Sequence, residues 1–381
     1  MARMIYADNA ATTQLDNDAL AAMLPFLQGE YANASEPYSF ARTTKSAISE
    51  ARAVIASCIN AEPEEIFFTS GGTESDNWAL KGTMLEHGDC RALITSQIEH
   101  HAILHSAEAI ERLGYPVAYL PVDYYGTVLP EFLSSLISTS TKLVSVMFSN
   151  NEVGTIQPIK ALAEIAHAHG ALFHTDAVQA VGHVSIDVKE LGVDMLSASA
   201  HKFNGPKGIG FLYIKKGTPI HPFNDGGAQE NGMRAGTENV ASIVGMATAL
   251  KKNCSEIDQT SAALYKLEER LLSRLESAGV DFRRNGANNH APGNISLSFK
   301  NASGEALLHR LDLKKICVST GSACDSKNTQ ISHVLRAMQL PDEYARGTIR
   351  VSLGRNSTHD DINEIAEALI SIVNNIRSKK S

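Results

Sequence analysis

The chain has 381 residues, 43% of them hydrophobic, and a formal net charge of -8. That length supports a sizeable core and suggests two packed units. The acidic balance, with no long Lys/Arg block, speaks against nucleic acid or an anionic membrane as the main partner. No apolar run approaches the roughly 20 residues needed to span a bilayer, and none follows Arg3 as a signal peptide requires. The five cysteines, Cys58, Cys90, Cys254, Cys317 and Cys324, are scattered without C-x-x-C spacing. Neither a disulfide framework nor a zinc ribbon is indicated, and a reducing cytoplasm is expected.

From about residue 65 to 215, short apolar runs alternate with amphipathic stretches. The runs Ile66–Phe68, Ala92–Ile94, Val117–Leu120, Leu143–Met147, Ala171–Phe173, Met195–Ser197 and Ile209–Tyr213 each have strand length and polar or glycine borders. Helical patterns such as Pro158–His169 lie between most of them. This alternation predicts a mostly parallel sheet with helices on both faces. Catalytic groups then belong just past the strand C-termini. A charged helix with Leu264, Leu267, Leu271 and Leu275 at helical spacing is predicted over Ser261–Ala278 as the hand-over to a second unit. Strands at Ile295–Phe299, Cys317–Val318 and Thr348–Ser352 follow, and a helix from Asp360 to Ile376 closes the chain.

Several stretches carry chemistry. Ser70-Gly71-Gly72-Thr73 sits between a strand and a helix, where free backbone N–H groups attract an anion; a plain turn capped by Thr73 is the alternative. It is neither a Walker A loop nor G-x-G-x-x-G. His100 follows another strand and could stack on a planar cofactor. Asp176 ends a strand, with Gln179 three residues on; a carboxylate there suits a protonated ring nitrogen, or caps the next helix. Lys202, among Ser199, Ala200 and His201, projects where an α/β sheet binds ligands, whereas Lys207 lacks such neighbours and is read as structural. His167, His169 and His174 cross from a helix end into a strand and form a poor metal set. Cys324 lies in the small polar stretch Ser319–Asn328, suited to nucleophilic attack. Arg350 is a candidate fork for a carboxylate, or a surface ion pair.

Together these residues resemble the cysteine desulfurases of the NifS/IscS type, within the class V aminotransferase branch of fold-type I pyridoxal-phosphate (PLP) enzymes. The resemblance runs from Tyr6-Ala7-Asp8-Asn9-Ala10-Ala11-Thr12-Thr13 to Ser352-Leu353-Gly354-Arg355. It includes Glu99-His100, Asn150-Asn151-Glu152-Val153-Gly154, Ser199-Ala200-His201-Lys202, Arg234-Ala235-Gly236-Thr237 and Gly321-Ser322-Ala323-Cys324. It implies a large PLP-binding domain over residues 15–255 with a mostly parallel seven-stranded sheet. A smaller α+β domain over 256–381, joined by residues 1–14, would carry the Cys324 loop. Lys202 would hold PLP covalently, Asp176 the ring nitrogen, Gln179 the ring hydroxyl and His100 the ring face. Gly72, Thr73, Ser199 and His201 would bind the phosphate, with Thr237 reaching that of a partner subunit in a homodimer. Asn151 and Arg350 would hold the carboxylate of L-cysteine. Cys324 would take its sulfur as a persulfide for a sulfur-acceptor or iron–sulfur scaffold protein, leaving L-alanine. Two stretches depart from the pattern. In Ala32–Tyr38, Ala32 and Ala34 stand where a Gly and a Pro are usual, and Ile331 replaces a common Pro. A transaminase or selenocysteine lyase would need Lys202 but not Cys324.

Overall fold

Two-residue strand β1 (Ile5–Tyr6) opens the chain, and the seven strands expected from the apolar runs follow in one sheet. They are β2 (Ile66–Thr69), β3 (Ala92–Ser96), β4 (Val117–Leu120), β5 (Thr141–Ser145), β6 (Leu172–Asp176), β7 (Met195–Ser199) and β8 (Gly210–Ile214). This computed structural model describes residues 3–86, 91–320 and 331–377. The order across the sheet is β2-β8-β7-β6-β5-β3-β4, and β8 alone runs antiparallel to its two neighbours. Period-two alternation sends successive side chains to opposite faces. Phe67, Leu93, Leu143, Met195 and Leu212 enter one core cluster, while Phe68, Ile94, Val144, Leu196 and Phe211 enter another. Both faces are therefore buried, which explains why these strands read as continuous apolar runs.

Helix Ile159–Ala168 buries Ile159, Leu162, Ala163 and Ala166, spaced three and four apart. The helix Asn17–Gln28 starts at Asp16, whose carboxylate accepts from the N–H groups of Asp18 and Ala19.

Strands β9 (Phe282–Asn285), β10 (Asn294–Phe299) and β12 (Thr348–Ser352) form a second, antiparallel sheet with β10 central, and β11 (Ile316–Cys317) pairs in parallel with β1. The closing helix runs His359–Arg377 and contributes Ile362, Ile365, Leu369 and Val373 to a separate core. One expectation changes. The helix predicted to begin at Ser261 is the second half of a 38-residue helix, Val240–Ser277. Its first half packs Ile243, Met246 and Leu250 into the large core, and its second half packs Leu264, Leu267, Leu271 and Leu275 into the small one. No Gly or Pro interrupts residues 247–277, so the polar stretch between the two stripes stays helical.

Candidate active site

A cavity of about 620 Å³ opens at the C-terminal ends of the parallel strands. Gly72 and Thr73 enter it from the turn after β2, and His100 from beyond β3. Asn151 follows β5, Asp176 ends β6, and Ser199, His201 and Lys202 come from the end of β7. Gln179 and Arg350 complete its walls. Ten of the expected site residues thus converge on one space from positions 72 to 350. Thr237 does not: it is exposed on a loop outside this wall. Cys324 lies outside the described residues.

The amine of Lys202 donates to the carbonyls of Ala10 and Ala11 at 2.6 and 2.8 Å. Gln179 Nε2 donates to the same Ala10 carbonyl at 3.0 Å, and His201 Nδ1 lies 3.2 Å from Thr12 Oγ1. Burial, aided by the charges of Lys202 and Lys207, pushes His201 down to about 4, so the ring is neutral at physiological pH. His100 caps helix His101–Arg112 by accepting the Ala102 N–H on Nδ1 at 3.1 Å, which leaves Nε2 to carry the proton of a neutral ring. Burial lowers its pKa as well, against the opposing charge of Asp176.

Carboxylates are concentrated at the floor. Burial raises the Asp176 carboxyl, against the attraction of His100, and one of its oxygens accepts the Val178 N–H at 2.9 Å. Asp76 is raised much further, by burial first and by the Asp176 charge second, and its Oδ1 has no hydrogen-bond partner. Behind them Glu99 is pushed up to about 8 by burial, although Ser96 Oγ and the Met147 N–H donate to it. His174, buried between the Ser145 and Ser197 hydroxyls at 2.9 Å each, is pushed down to about 3 by desolvation.

The remaining histidines of the weak metal set have other partners. His167 Nε2 lies 2.8 Å from Asp194, and His169 Nδ1 lies 3.0 Å from the Ile165 carbonyl. Among the described residues no group of three or more His, Cys, Asp or Glu is placed to hold a metal ion. Lys207, read as structural, lines the cavity mouth. Sequence reasoning missed Asp8, Asp76, Ser149 and Ser319, which also line the cavity. A lone Asp in an N-terminal loop or a short helix gives no local signal of such a place. Glu74 carries structure instead: it pairs with Arg234 at 2.8 Å and accepts the Ser70 N–H, tying the turn after β2 to the segment that leads to Thr237.

Residues 5–365 match the family model of the class-V aminotransferases. The chain belongs to this family. It is 46% identical over 377 residues to a cysteine desulfurase IscS of Methanosarcina thermophila, covering 99% of this chain and 93% of that protein. A cysteine desulfurase IscS of Dictyoglomus turgidum is 47% identical, with 99% and 96% covered. Among solved structures, a NifS-like protein superposes with a TM-score of 0.92 at 37% identity, covering 98% of this chain and all of that one. A structure of SspA in complex with cysteine reaches 0.81 at 33% identity, over 93% of this chain.

The family depends on PLP, and the cavity fits that group. It offers a lysine amine, a buried acid that burial alone leaves poorly stabilised as an anion, and an anion cradle. At the cradle a Cβ on Gly72 would lie 2.6 Å from Val178 Cγ2, so the close approach of backbone there needs glycine. Gly71, at φ 149°, takes a conformation that glycine favours.

Proposed function

We propose that this protein is a PLP-dependent cysteine desulfurase, converting L-cysteine to L-alanine and taking the sulfur onto Cys324 as a persulfide. The observation that carries the reading is the meeting of the Lys202 amine, the buried Asp176 carboxyl and the Gly72 cradle in one cavity. Bound PLP supplies an electron-poor ring that draws electron density from the substrate Cα. Asp176 holds the proton on the ring nitrogen, an ion pair that offsets the cost of keeping this carboxylate buried. Gln179 orients the ring hydroxyl and His100 covers one ring face. Gly72, Thr73, Ser199 and His201 bind the phosphate. Lys202 would anchor the cofactor covalently, and its amine is the group that would move the proton from the substrate Cα. Asn151 and Arg350 hold the substrate carboxylate. Cys324 would attack the substrate sulfur as thiolate, the nucleophilic form of a thiol whose ordinary pKa is about 8.5, so that the S–S bond forms as the substrate Cβ–Sγ bond breaks; the bonding pair stays with Cβ, which takes up a proton to give L-alanine.

The large unit over 15–255 carries the cofactor groups, and the small unit over 256–381 brings Arg350 and Cys324 to them. A homodimer lets Thr237 reach the phosphate held in the partner subunit. The exposed apolar stripe Leu20, Leu24 and Leu27 on one helix, with Tyr31 and Phe40 beyond it, supports a subunit contact. The sulfur acceptor is a carrier or iron–sulfur scaffold protein in the cytoplasm. No helix among the described residues is long and apolar enough to cross a membrane.

Mass spectrometry after L-cysteine treatment tests the reading. One added sulfur is expected on Cys324, in a protein that sediments as a dimer. The Cys324→Ser variant should keep the visible absorbance of bound cofactor yet release no sulfide. Normal turnover by that variant would remove Cys324 from the reaction, and a single-chain mass would remove Thr237 from the site.

A further inference from the structure

Arg350 is buried, at 6% exposure, and two of its nitrogens are already engaged. Nη2 donates to Asp8 Oδ1 at 2.9 Å and Nη1 donates to the Asn151 carbonyl at 2.7 Å. Nε is buried without a partner. Asp8 and Arg350 both line the cavity. The backbone keeps Asp8 at this place, because Ser352 N donates to the Ala7 carbonyl at 2.8 Å and Asn9 N to the Ser352 carbonyl at 3.1 Å. The same short segment supplies the carbonyls that receive the Lys202 amine.

A guanidinium held at both ω-nitrogens has its plane fixed, so its remaining donors are presented in one orientation. Without Asp8 this buried cation loses its counter-charge and the contact that fixes Nη2.

We propose that Asp8 is a positioning residue for the desulfurase reaction: together with the Asn151 carbonyl it fixes the plane of the Arg350 guanidinium, with the second ω-hydrogens left for the substrate carboxylate. This rests on the reading of Arg350 as the carboxylate fork, and the test separates the two. Two ligands that lack a free thiol, S-methyl-L-cysteine and its decarboxylated counterpart 2-(methylthio)ethylamine, are titrated into the holoenzyme by cofactor absorbance. In Asp8→Ala the dissociation constant of the amino acid should rise about tenfold or more, as loss of a charge-assisted contact implies. That of the amine should stay within about twofold, because it has no carboxylate to place. Asp8→Asn, which keeps an acceptor for Nη2 without the charge, should fall between, and serves if the alanine variant does not fold. Arg350→Leu should lose the same discrimination. If Arg350→Leu still separates the two ligands as the wild type does, the carboxylate fork itself is wrong. If it loses the separation while the Asp8 variants bind the amino acid as well as or better than wild type, or lose both ligands alike, Asp8 has no positioning role.

Discussion

Glu99 illustrates how a side chain behind the site can set the pH response of the whole protein. Its carboxyl is pushed up to about 8 by burial, so the folded protein retains a proton that the unfolded chain releases near the ordinary carboxylate pKa. The folded state then binds more protons than the unfolded one across that window, and stability falls as pH rises towards 8. Glu152, pushed up to about 7 by burial, acts in the same direction over a shorter range. His174 acts oppositely. Held neutral down to about 3 by desolvation, it makes stability rise with pH until the unfolded imidazole loses its proton near 6.5. The Glu99 effect is therefore clearest between about pH 6.5 and 8, where His174 is neutral in both states. Thermal melts of Glu99→Gln should decline less over that interval than wild type by a few degrees. Parallel pH profiles for the two proteins would show that Glu99 is ionised in the fold.

At the scale of elements, the turn after β2 meets the turn after β6. Gly72 and Val178 are so close that a Cβ would stand 2.6 Å from a valine methyl. Gly72→Ala is expected to weaken cofactor retention about tenfold, the scale of a core overpacking strain of 1–3 kcal/mol. Because the obstacle is a side chain, adding Val178→Ala should restore most of the loss. Equilibrium dialysis followed by absorbance measures both. Wild-type retention by the single variant would mean that the two turns do not need this approach. The glycines of this turn were legible from sequence, because strand, glycines and helical pattern follow one another locally. So were the seven strands, whose double-sided burial writes a continuous apolar run. The full length of helix Val240–Ser277 was not legible. Between Leu250 and Leu264 the helix serves neither core with buried residues, so the periodic signal lapses while the helix continues.

Across the whole molecule, the cavity is built by contacts between residues far apart in the chain. Lys202 and Asp176 could be picked out because each stands at a strand end, where this architecture places ligands. Asp8 could not, since its partner Arg350 is 342 residues away and nothing local in either sequence announces the pair. The strand order and the passage of the N-terminal segment over the cavity share that property. They arise from long-range packing of two hydrophobic cores that share one long helix. The central claim concerns one of two lysines, for Lys207 lines the same cavity. Borohydride reduction of the holoenzyme followed by peptide mapping tests it most directly. The pyridoxyl label should appear on the peptide carrying Lys202, on that residue alone, and Lys202→Ala should abolish it. A label on Lys207, or no label at all, would contradict the account.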